Sequence, residues 1–170
     1  MRTWIQLAAI LGSVLLPVSS FAQKVSVDFD SKAPFATYKT YAWTTGTPSP
    51  NPLGEQRIRD GVDQRMAAKG LKKVDSNPDV VVATHAVAQE QKELNAYGFG
   101  GGPRWGGTGT ARVDTYVQGT LVVDLYDAGT KQLVWRGVGT DTASDKPEKN
   151  TQKLNKVLDK MFKDYPPKAK

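Results

Sequence analysis

A β-hairpin pattern in the C-terminal half of the chain constrains the fold more than any other feature of the sequence. Residues 115–126 have aliphatic side chains at alternate positions from Leu121 to Leu125, which is typical of a strand with one buried face. Asp127-Ala128-Gly129-Thr130 has the composition of a tight turn, in which Gly129 is available for a positive φ. Because residues 133–138 then return as an apolar strand, the sequence predicts an antiparallel pair here.

Three further strands are predicted upstream of this hairpin. Residues 25–30 alternate apolar and polar side chains, as a half-buried strand does, and residues 38–43 are rich in aromatic residues. Residues 80–87 are rich in β-branched residues and apolar on both faces at their start, which favours a central strand. The mostly polar residues 89–95 extend this strand or form its exposed end.

The first of two predicted helices follows a proline-rich loop at residues 44–52. Asn51-Pro52 has the pattern of an N-cap followed by proline at the first helical position. Apolar residues then recur every four positions from Ile58 to Met66, and Lys69-Gly70 provides a C-terminal cap. Gly61 lies in the middle of this helix, where glycine costs about 1 kcal/mol relative to alanine.

The second predicted helix lies near the C-terminus. Asn150 or Thr151 can cap it, apolar residues from Leu154 to Phe162 follow spacings of three and four, and Tyr165-Pro166-Pro167 stops it. Strands and helices together predict one α+β domain: an antiparallel sheet of about five or six strands with two helices packed on one face.

Residues 1–22 have the pattern of a cleavable signal peptide. Arg2 supplies the positive charge, residues 5–16 are mostly apolar, and Ser20 and Ala22 are the small residues that a signal peptidase reads. An uncleaved membrane anchor is the alternative, but the apolar run is shorter than the roughly 20 residues of a spanning helix. We therefore expect an exported protein, periplasmic or secreted, whose mature domain comprises residues 23–170 and has no transmembrane segment.

The cysteine count and the charge exclude several classes of site. The chain has no cysteine, which excludes disulfides, thiolate metal sites and a lipid-modified N-terminal cysteine, so we expect no lipid anchor. Because no later segment is long and apolar enough to span a membrane, we expect the mature protein to be soluble. The formal net charge of +6 becomes +5 when Arg2 is lost with the signal peptide. Such a charge favours contact with anionic partners, but export argues against nucleic acid.

The residues most often used in catalysis do not form a recognisable set. His85 is the only histidine, and neither metal-ligand spacing nor a Gly-x-Ser-x-Gly nucleophile motif accompanies it. Asp28 with Asp30, and Asp124 with Asp127, are candidate carboxylate pairs of the kind that glycosidases use. Strand alternation places the first pair on an exposed face, and Asp127 fits the hairpin turn. We therefore expect no catalytic residues, no metal and no cofactor.

A glycine-rich loop at residues 97–109 is the first candidate binding element. Seven of the residues 98–109 are glycine, without the lysine of a P-loop. The segment also holds four residues of the types that anchor interfaces: Tyr97, Phe99, Arg104 and Trp105. It either docks a partner or ligand or is a long disordered connection.

A row of lysines along the last helix is the second candidate. Its members are spaced by four, three, four and three residues opposite the apolar stripe: Lys149, Lys153, Lys156, Lys160 and Lys163. This basic face predicts peripheral contact with anionic lipid headgroups, lipopolysaccharide or an acidic protein. A solvated face that keeps the protein soluble is the alternative.

An ordered set of short motifs resembles one known family. These motifs are Val27-Asp28-Phe29-Asp30, Phe35, Tyr38 to Trp43, Arg57-Ile58, Lys69-Gly70-Leu71, Pro78-Asp79-Val80, Gly119 to Asp127, Leu133 to Gly137 and Tyr165-Pro166-Pro167. The set resembles the bacterial domain-of-unknown-function family 4136 over nearly the whole mature chain. The resemblance implies an α+β envelope protein, often a lipoprotein, although Gln23 stands here where lipoproteins carry cysteine. The family has no established activity, substrate or cofactor, so the resemblance supplies no catalytic residue.

Two functions from different classes follow from these observations. The first is a non-enzymatic binding or accessory module that contacts an envelope protein or an anionic or amphipathic ligand. The second is a hydrolase of an envelope polymer that uses an unrecognised carboxylate site. An enzyme requires polar groups converging in a pocket, whereas a binding module requires only an exposed surface.

Overall fold

A computed structural model of the protein describes residues 23–97 and 110–167. The described chain consists of β1 (Lys24–Phe29), β2 (Thr40–Trp43), α1 (Pro52–Ala68), β3 (Lys72–Lys73), β4 (Val80–Tyr97), β5 (Thr110–Asp127), β6 (Leu133–Thr142) and α2 (Pro147–Phe162). The predicted signal peptide and most of the glycine-rich loop, including Phe99, Arg104 and Trp105, lie outside the described residues.

The described strands form one six-stranded sheet in the order β1-β6-β5-β4-β2-β3. The adjacent pairs β1–β6, β6–β5 and β5–β4 are antiparallel, whereas β2 pairs parallel with both β4 and β3. The prediction of an α+β fold with two helices is confirmed, but the prediction of a purely antiparallel sheet is wrong. The reason is α1, which carries the chain back along the sheet between β2 and β4 and so makes these strands parallel.

Alternation along the strands gives the sheet a helix-covered face and an outer face. Leu125 and Trp135 are opposite each other on the covered face and are almost completely buried. Gly137 and Gly139 lie on the same face, where a Cβ atom would come within 2.2 Å of Met161 Cγ and 2.3 Å of Val157 Cγ1. These glycines therefore let α2 approach the sheet closely.

Helix α1 begins where the sequence predicts, and its central glycine has a structural purpose. The Asn51 side chain accepts hydrogen bonds from the backbone N–H groups of Leu53 and Gly54, as an N-cap does. A Cβ atom on Gly61 would lie 2.6 Å from Leu158 Cδ1. Glycine thus lowers the helix propensity but allows α1 to pack directly against α2.

Helix α2 begins earlier than the sequence predicts. Pro147 is its first residue, and the N-cap Lys146 makes no capping bond with its side chain. The expected cap Asn150 lies inside the helix, where its amide bonds the backbone N–H and C=O of Ser144. The prediction of a cap at Asn150 or Thr151 is therefore wrong, because proline at the first helical position sets the start instead.

Aromatic side chains close the end of the core next to the C-terminus. The ring of Tyr165 lies 5.7 Å from Trp135, 6.0 Å from Phe162 and 6.0 Å from Phe35, measured between centroids. Edge-to-face contacts of this kind stabilise the packing by about 1 kcal/mol each beyond the buried area. The segment after α2 is thus part of the core.

The β5–β6 turn forms as predicted, with one difference. Asp127 Oδ1 accepts hydrogen bonds from the N–H groups of Gly129 and Thr130 at 2.9 Å and 2.7 Å. The positive φ of 63° falls on Lys131 and not on Gly129. Asp127 therefore stabilises the turn, in agreement with its predicted role.

Candidate functional site

The carboxylates of the predicted pairs do not come together in a pocket. Asp28 and Asp30 are exposed at the end of the edge strand β1, as expected. Asp127 bonds the β5–β6 turn and accepts a hydrogen bond from the Tyr38 hydroxyl at 2.9 Å. These bonds, chiefly that from the Thr130 N–H, lower the pKa of Asp127. Among the four carboxylates, Asp124 alone is buried.

Asp124 lies on the outer face of the sheet and is completely buried there. Its Oδ1 accepts a hydrogen bond from Arg136 Nε, and its Oδ2 accepts one from Arg136 Nη2, both at 2.7 Å. The Tyr126 hydroxyl donates a longer bond of 3.3 Å to Oδ2. Donation of these hydrogen bonds to Asp124 raises the pKa of Arg136 above its already high value. This bidentate contact engages both carboxylate oxygens on a side of the sheet that no described helix covers.

His85 lies beside this pair on the neighbouring strand. Its Nε2 is 3.7 Å from Asp124 Oδ2, which is beyond hydrogen-bond distance. Its Nδ1 accepts a bond of 3.2 Å from the Thr47 backbone N–H and lies 3.0 Å from Thr47 Oγ1. Since Nδ1 is an acceptor, we assign the proton of the neutral ring to Nε2. In the described residues, no three carboxylate or imidazole groups come together as metal ligands.

A largely apolar concave surface lies on the opposite, helix-covered face. It is a groove of about 200 Å³ between the first half of α2, the loop before α1 and the ends of β4, β5 and β6. Small residues form its floor: Ala86, Ala88, Gly119 and Gly139. Aliphatic side chains of Leu121, Leu154 and Val157 form its wall. We call this surface the α2 groove.

Polar groups meet at one rim of the α2 groove. Lys153 Nζ lies 3.2 Å from Asp141 Oδ1 and also donates to the carbonyl of Thr142. Asp141 Oδ2 in turn accepts a 2.7 Å bond from the side-chain amide of Gln23, which donates a second bond to the Lys153 carbonyl. The groove thus combines an apolar interior with one charged rim.

Four of the five lysines in the predicted basic face are exposed along α2 and its C-cap: Lys149, Lys156, Lys160 and Lys163. Binding by this face stays a prediction. Lys153 is the exception in exposure, because its ammonium is turned toward the sheet by Asp141. The reason is its position on the flank of the helix, next to the apolar stripe, where the end of β6 supplies a carboxylate.

Beyond the core, β4 and β5 continue as a two-stranded arm. Residues 90–97 and 110–117 pair with each other in the described sheet, and Leu94, Val113 and Val117 are exposed along them. The backbone of Tyr97 pairs with Thr110 at the end of this arm. The remaining residues of the predicted binding loop lie outside the described part of the chain, so the binding role of the loop stays a prediction.

The α2 groove is the candidate that sequence reasoning missed. A signal was present in the small residues at alternate positions of the two strands that flank β5, namely Ala86 and Ala88 in β4 and Gly137 and Gly139 in β6. Small residues on a covered face show where a helix approaches or where space remains. Whether a small residue contacts a helix or borders an open groove depends on where α2 begins. The sequence predicts the start of α2 at Asn150 or Thr151, and the helix begins at Pro147.

The comparisons with known proteins bear on the family and the fold. The sequence-family model of DUF4136, a domain of unknown function, matches residues 25–167. The structure of a PDZ domain protein from Parabacteroides distasonis is similar with a TM-score of 0.58 and 14% identity, over 86% of this chain and 36% of that one. The chain therefore spans about a third of that protein.

A second similar structure covers nearly the whole of its own chain. It is a variant of PelC from Paraburkholderia phytofirmans, described as a dodecamer, with a TM-score of 0.50 and 16% identity over 83% of this chain and 98% of that one. At such identities the likeness concerns the fold alone. No curated protein matches the chain in sequence.

Proposed function

We propose, from the premise that the chain belongs to the DUF4136 family, that this member is an exported envelope protein without catalytic activity. It binds an apolar segment of an envelope protein or an amphipathic ligand, and it does so in the α2 groove. The observation that carries the proposal is the groove itself, with its floor of alanine and glycine and its single charged rim.

The size and lining of the groove suit part of a ligand. Sites that enclose a whole small molecule usually exceed about 300 Å³, and this groove holds about 200 Å³. It therefore fits an apolar side chain of a partner or the end of an acyl chain. At the rim, the Lys153 ammonium uses two of its three N–H groups for Asp141 and Thr142, which leaves one for a polar group on the same ligand.

The polar cluster around Asp124 supports a role without catalysis. Both carboxylate oxygens are engaged by Arg136, and neither the buried carboxylate nor His85 lines the α2 groove. A general acid or base must reach the reacting group. Asp124 supports the sheet from its outer face instead.

The position of Gln23 supports export with cleavage after Ala22. Cleavage there makes Gln23 the first residue of the mature chain, and its side chain already bonds Asp141 and the Lys153 carbonyl. Removal of the signal peptide thus leaves a start that is attached to the folded domain.

Filling the α2 groove tests the proposal. A Cβ atom on Gly119 meets only Asp141 O, at 3.7 Å, so Gly119→Leu adds a side chain to the groove without a backbone clash. We expect the purified mature protein to bind anilinonaphthalene sulfonate, an anionic amphiphile, in a saturable manner, and dodecanoate to displace it. Gly119→Leu should weaken this binding at least about tenfold, which corresponds to about 1.4 kcal/mol.

Gln118→Leu is the matched control. It adds the same side chain at the adjacent position of β5, which points to the other face of the sheet. Equal binding by the unmodified protein and both variants would contradict the groove as the binding site. Absence of saturable binding by the unmodified protein would contradict the proposed ligand class.

The arrangement of Thr47, His85 and Asp124 favours one second candidate, a hydrolase of an envelope polymer. The Thr47 hydroxyl lies 3.0 Å from His85 Nδ1, and His85 Nε2 lies 3.7 Å from Asp124 Oδ2, so a hydroxyl, an imidazole and a carboxylate stand in a row. Release of soluble fragments from isolated peptidoglycan by the unmodified protein, lost in His85→Ala and in Thr47→Val, would support this candidate. Under the binding proposal, all three proteins release none.

A further inference from the structure

The sheet has two edges, and they differ in how well they are protected against pairing with another chain. The β3 edge is two residues long, and both are lysines. Short length and like charge are two of the devices by which proteins prevent unwanted strand pairing. The β1 edge is six residues long, contains no proline and has a regular register with β6. Of these two edges in the described chain, β1 is therefore the one open to a further strand.

The backbone of β1 presents hydrogen-bonding groups away from the sheet. Asp30 donates its N–H to Val134 O in β6, so alternation directs the backbone groups of Asp28 and Ser26 toward β6 as well. The groups of Val25, Val27 and Phe29 consequently point outward. In agreement with this, the Phe29 N–H is bonded by the adjacent Asp28 side chain, at 2.9 Å, and not by a neighbouring strand.

The sequence of β1 is complementary to itself. When two copies of this strand are paired antiparallel about Ser26, Lys24 of one copy lies opposite Asp28 of the other, and Val25 lies opposite Val27. The outward N–H and C=O groups of the two valines then form the hydrogen-bonded pairs, and Lys24 and Asp28 form the closer, non-hydrogen-bonded pairs. Opposite charges directly across such strands are favourable, and the two-fold symmetry forms each pair twice.

Two further observations fit a copy of the chain at this edge. Val27 and Phe29 lie on the helix-covered face of the sheet, but at this edge their apolar side chains are 42% and 36% exposed to solvent. On the outer side, Asp28 is the register partner of Arg136 in β6. A second copy would therefore cover the apolar pair and place Asp28 between two cationic residues.

We propose that the protein forms a two-fold symmetric dimer through β1, in which the two six-stranded sheets join into one continuous sheet. The occupant of the edge is a second copy of this chain, because the strand matches its own sequence in charge, in apolar residues and in backbone pattern. The dimer does not depend on the α2 groove, so each can fail without the other.

Charge reversal and charge exchange test the dimer. The mature protein is measured by light scattering during gel filtration over a range of concentrations, and we expect twice the monomer mass at tens of micromolar. Lys24→Asp places two aspartates opposite each other at two symmetric positions, and we expect it to weaken the dimer at least tenfold. Lys24→Asp combined with Asp28→Lys restores opposite charges, and dimerisation should return to within about threefold of the original.

Two other variants complete the experiment. Lys72→Asp makes the same charge change at the protected edge and should leave the dimer unaffected. Val27→Pro removes an outward N–H without removing a bond to β6, so it should give a folded monomer, as checked by circular dichroism. A monomer at every concentration, a ring of more than two subunits, or a dimer indifferent to Lys24→Asp and Val27→Pro would each overturn the proposal.

Discussion

At the scale of single residues, the buried Asp124 carboxylate on the outer face of the sheet depends on one partner, the half-exposed Arg136. Asp124 is 0% exposed, whereas the Arg136 side chain is 45% exposed. The two partners are therefore not equivalent, because only the carboxylate would remain buried if its partner were removed. An uncompensated buried charge is far more costly than a missing surface charge.

We predict that Arg136→Met lowers the free energy of unfolding by about 3 kcal/mol, since it leaves the Asp124 carboxylate without its bidentate partner. Asp124→Leu combined with Arg136→Met should recover most of this loss, because the pair is then replaced by apolar side chains. Urea unfolding of the three proteins measures both effects.

Arg112→Met is the control, because it removes the arginine of an exposed pair with Asp114. Exposed pairs contribute about 0 to 1 kcal/mol. If Arg136→Met lowers the free energy of unfolding no more than this control does, Asp124 is not buried as the structure describes it.

Tyr165 gives a second prediction at this scale. Its hydroxyl is buried without a hydrogen-bond partner among the described residues, and burial raises its pKa to about 12. Because an unsatisfied buried hydroxyl is destabilising, Tyr165→Phe should raise the stability by about 1 kcal/mol. Thermal unfolding measures this change in stability. Tyr38→Phe is the comparison, because it loses the hydrogen bond to Asp127 and should lower the stability. Equal losses in both variants would contradict the prediction.

Single residues could be predicted from the sequence where their role is local. Asp127 was placed correctly in its turn because the hydrogen bonds that form the turn come from N–H groups only two and three residues ahead. The partners of Asp124 and Lys153 come from other elements, and they depend on strand register and on the position of α2. No pattern within a single segment contains that information.

At the scale of elements, the hairpin and both helices could be predicted from periodicity, but the sheet topology was predicted incorrectly. The order of β2, α1 and β4 already contained the signal, since a strand, a helix and a strand in succession usually form a parallel crossover. β3 has only two residues, Lys72 and Lys73, and no alternation to recognise. The mixed sheet therefore reflects connections between elements rather than the composition of any one of them.

The lysines of α2 give the prediction that belongs to this scale. Each lysine near an anionic membrane contributes about 1 kcal/mol, so Lys156→Gln combined with Lys160→Gln should weaken binding to vesicles containing phosphatidylglycerol by about thirtyfold. Lys153 is left unchanged, because it is bonded to Asp141. Co-sedimentation with vesicles at low salt measures the effect.

The control for the α2 lysines is Lys72→Gln combined with Lys131→Gln, which changes the net charge equally at exposed sites away from α2. If α2 forms the membrane contact, these substitutions leave most of the binding intact. Equal losses in both double variants would show a general charge effect, and no binding by the unmodified protein would contradict a membrane contact.

At the scale of the whole molecule, the α2 groove arises where several elements end rather than within any one of them. It lies where α2 begins, where β6 ends and where the loop before α1 crosses β4. Neither α1 nor α2, the helices of the described chain, is long and apolar enough to cross a bilayer.

The last prediction concerns the compartment in which the molecule works. We expect the protein isolated from a periplasmic or secreted fraction to begin at Gln23 and to carry no lipid, as shown by its intact mass. The Gln23 side chain is bonded to both the end of β6 and α2, so this start is compatible with the folded domain. Ala22→Leu removes a small residue that the peptidase reads and should leave an uncleaved chain in the membrane fraction. An unmodified protein that keeps residues 1–22 would contradict cleavage, and recovery from the cytoplasm would contradict export together with the envelope role built on it.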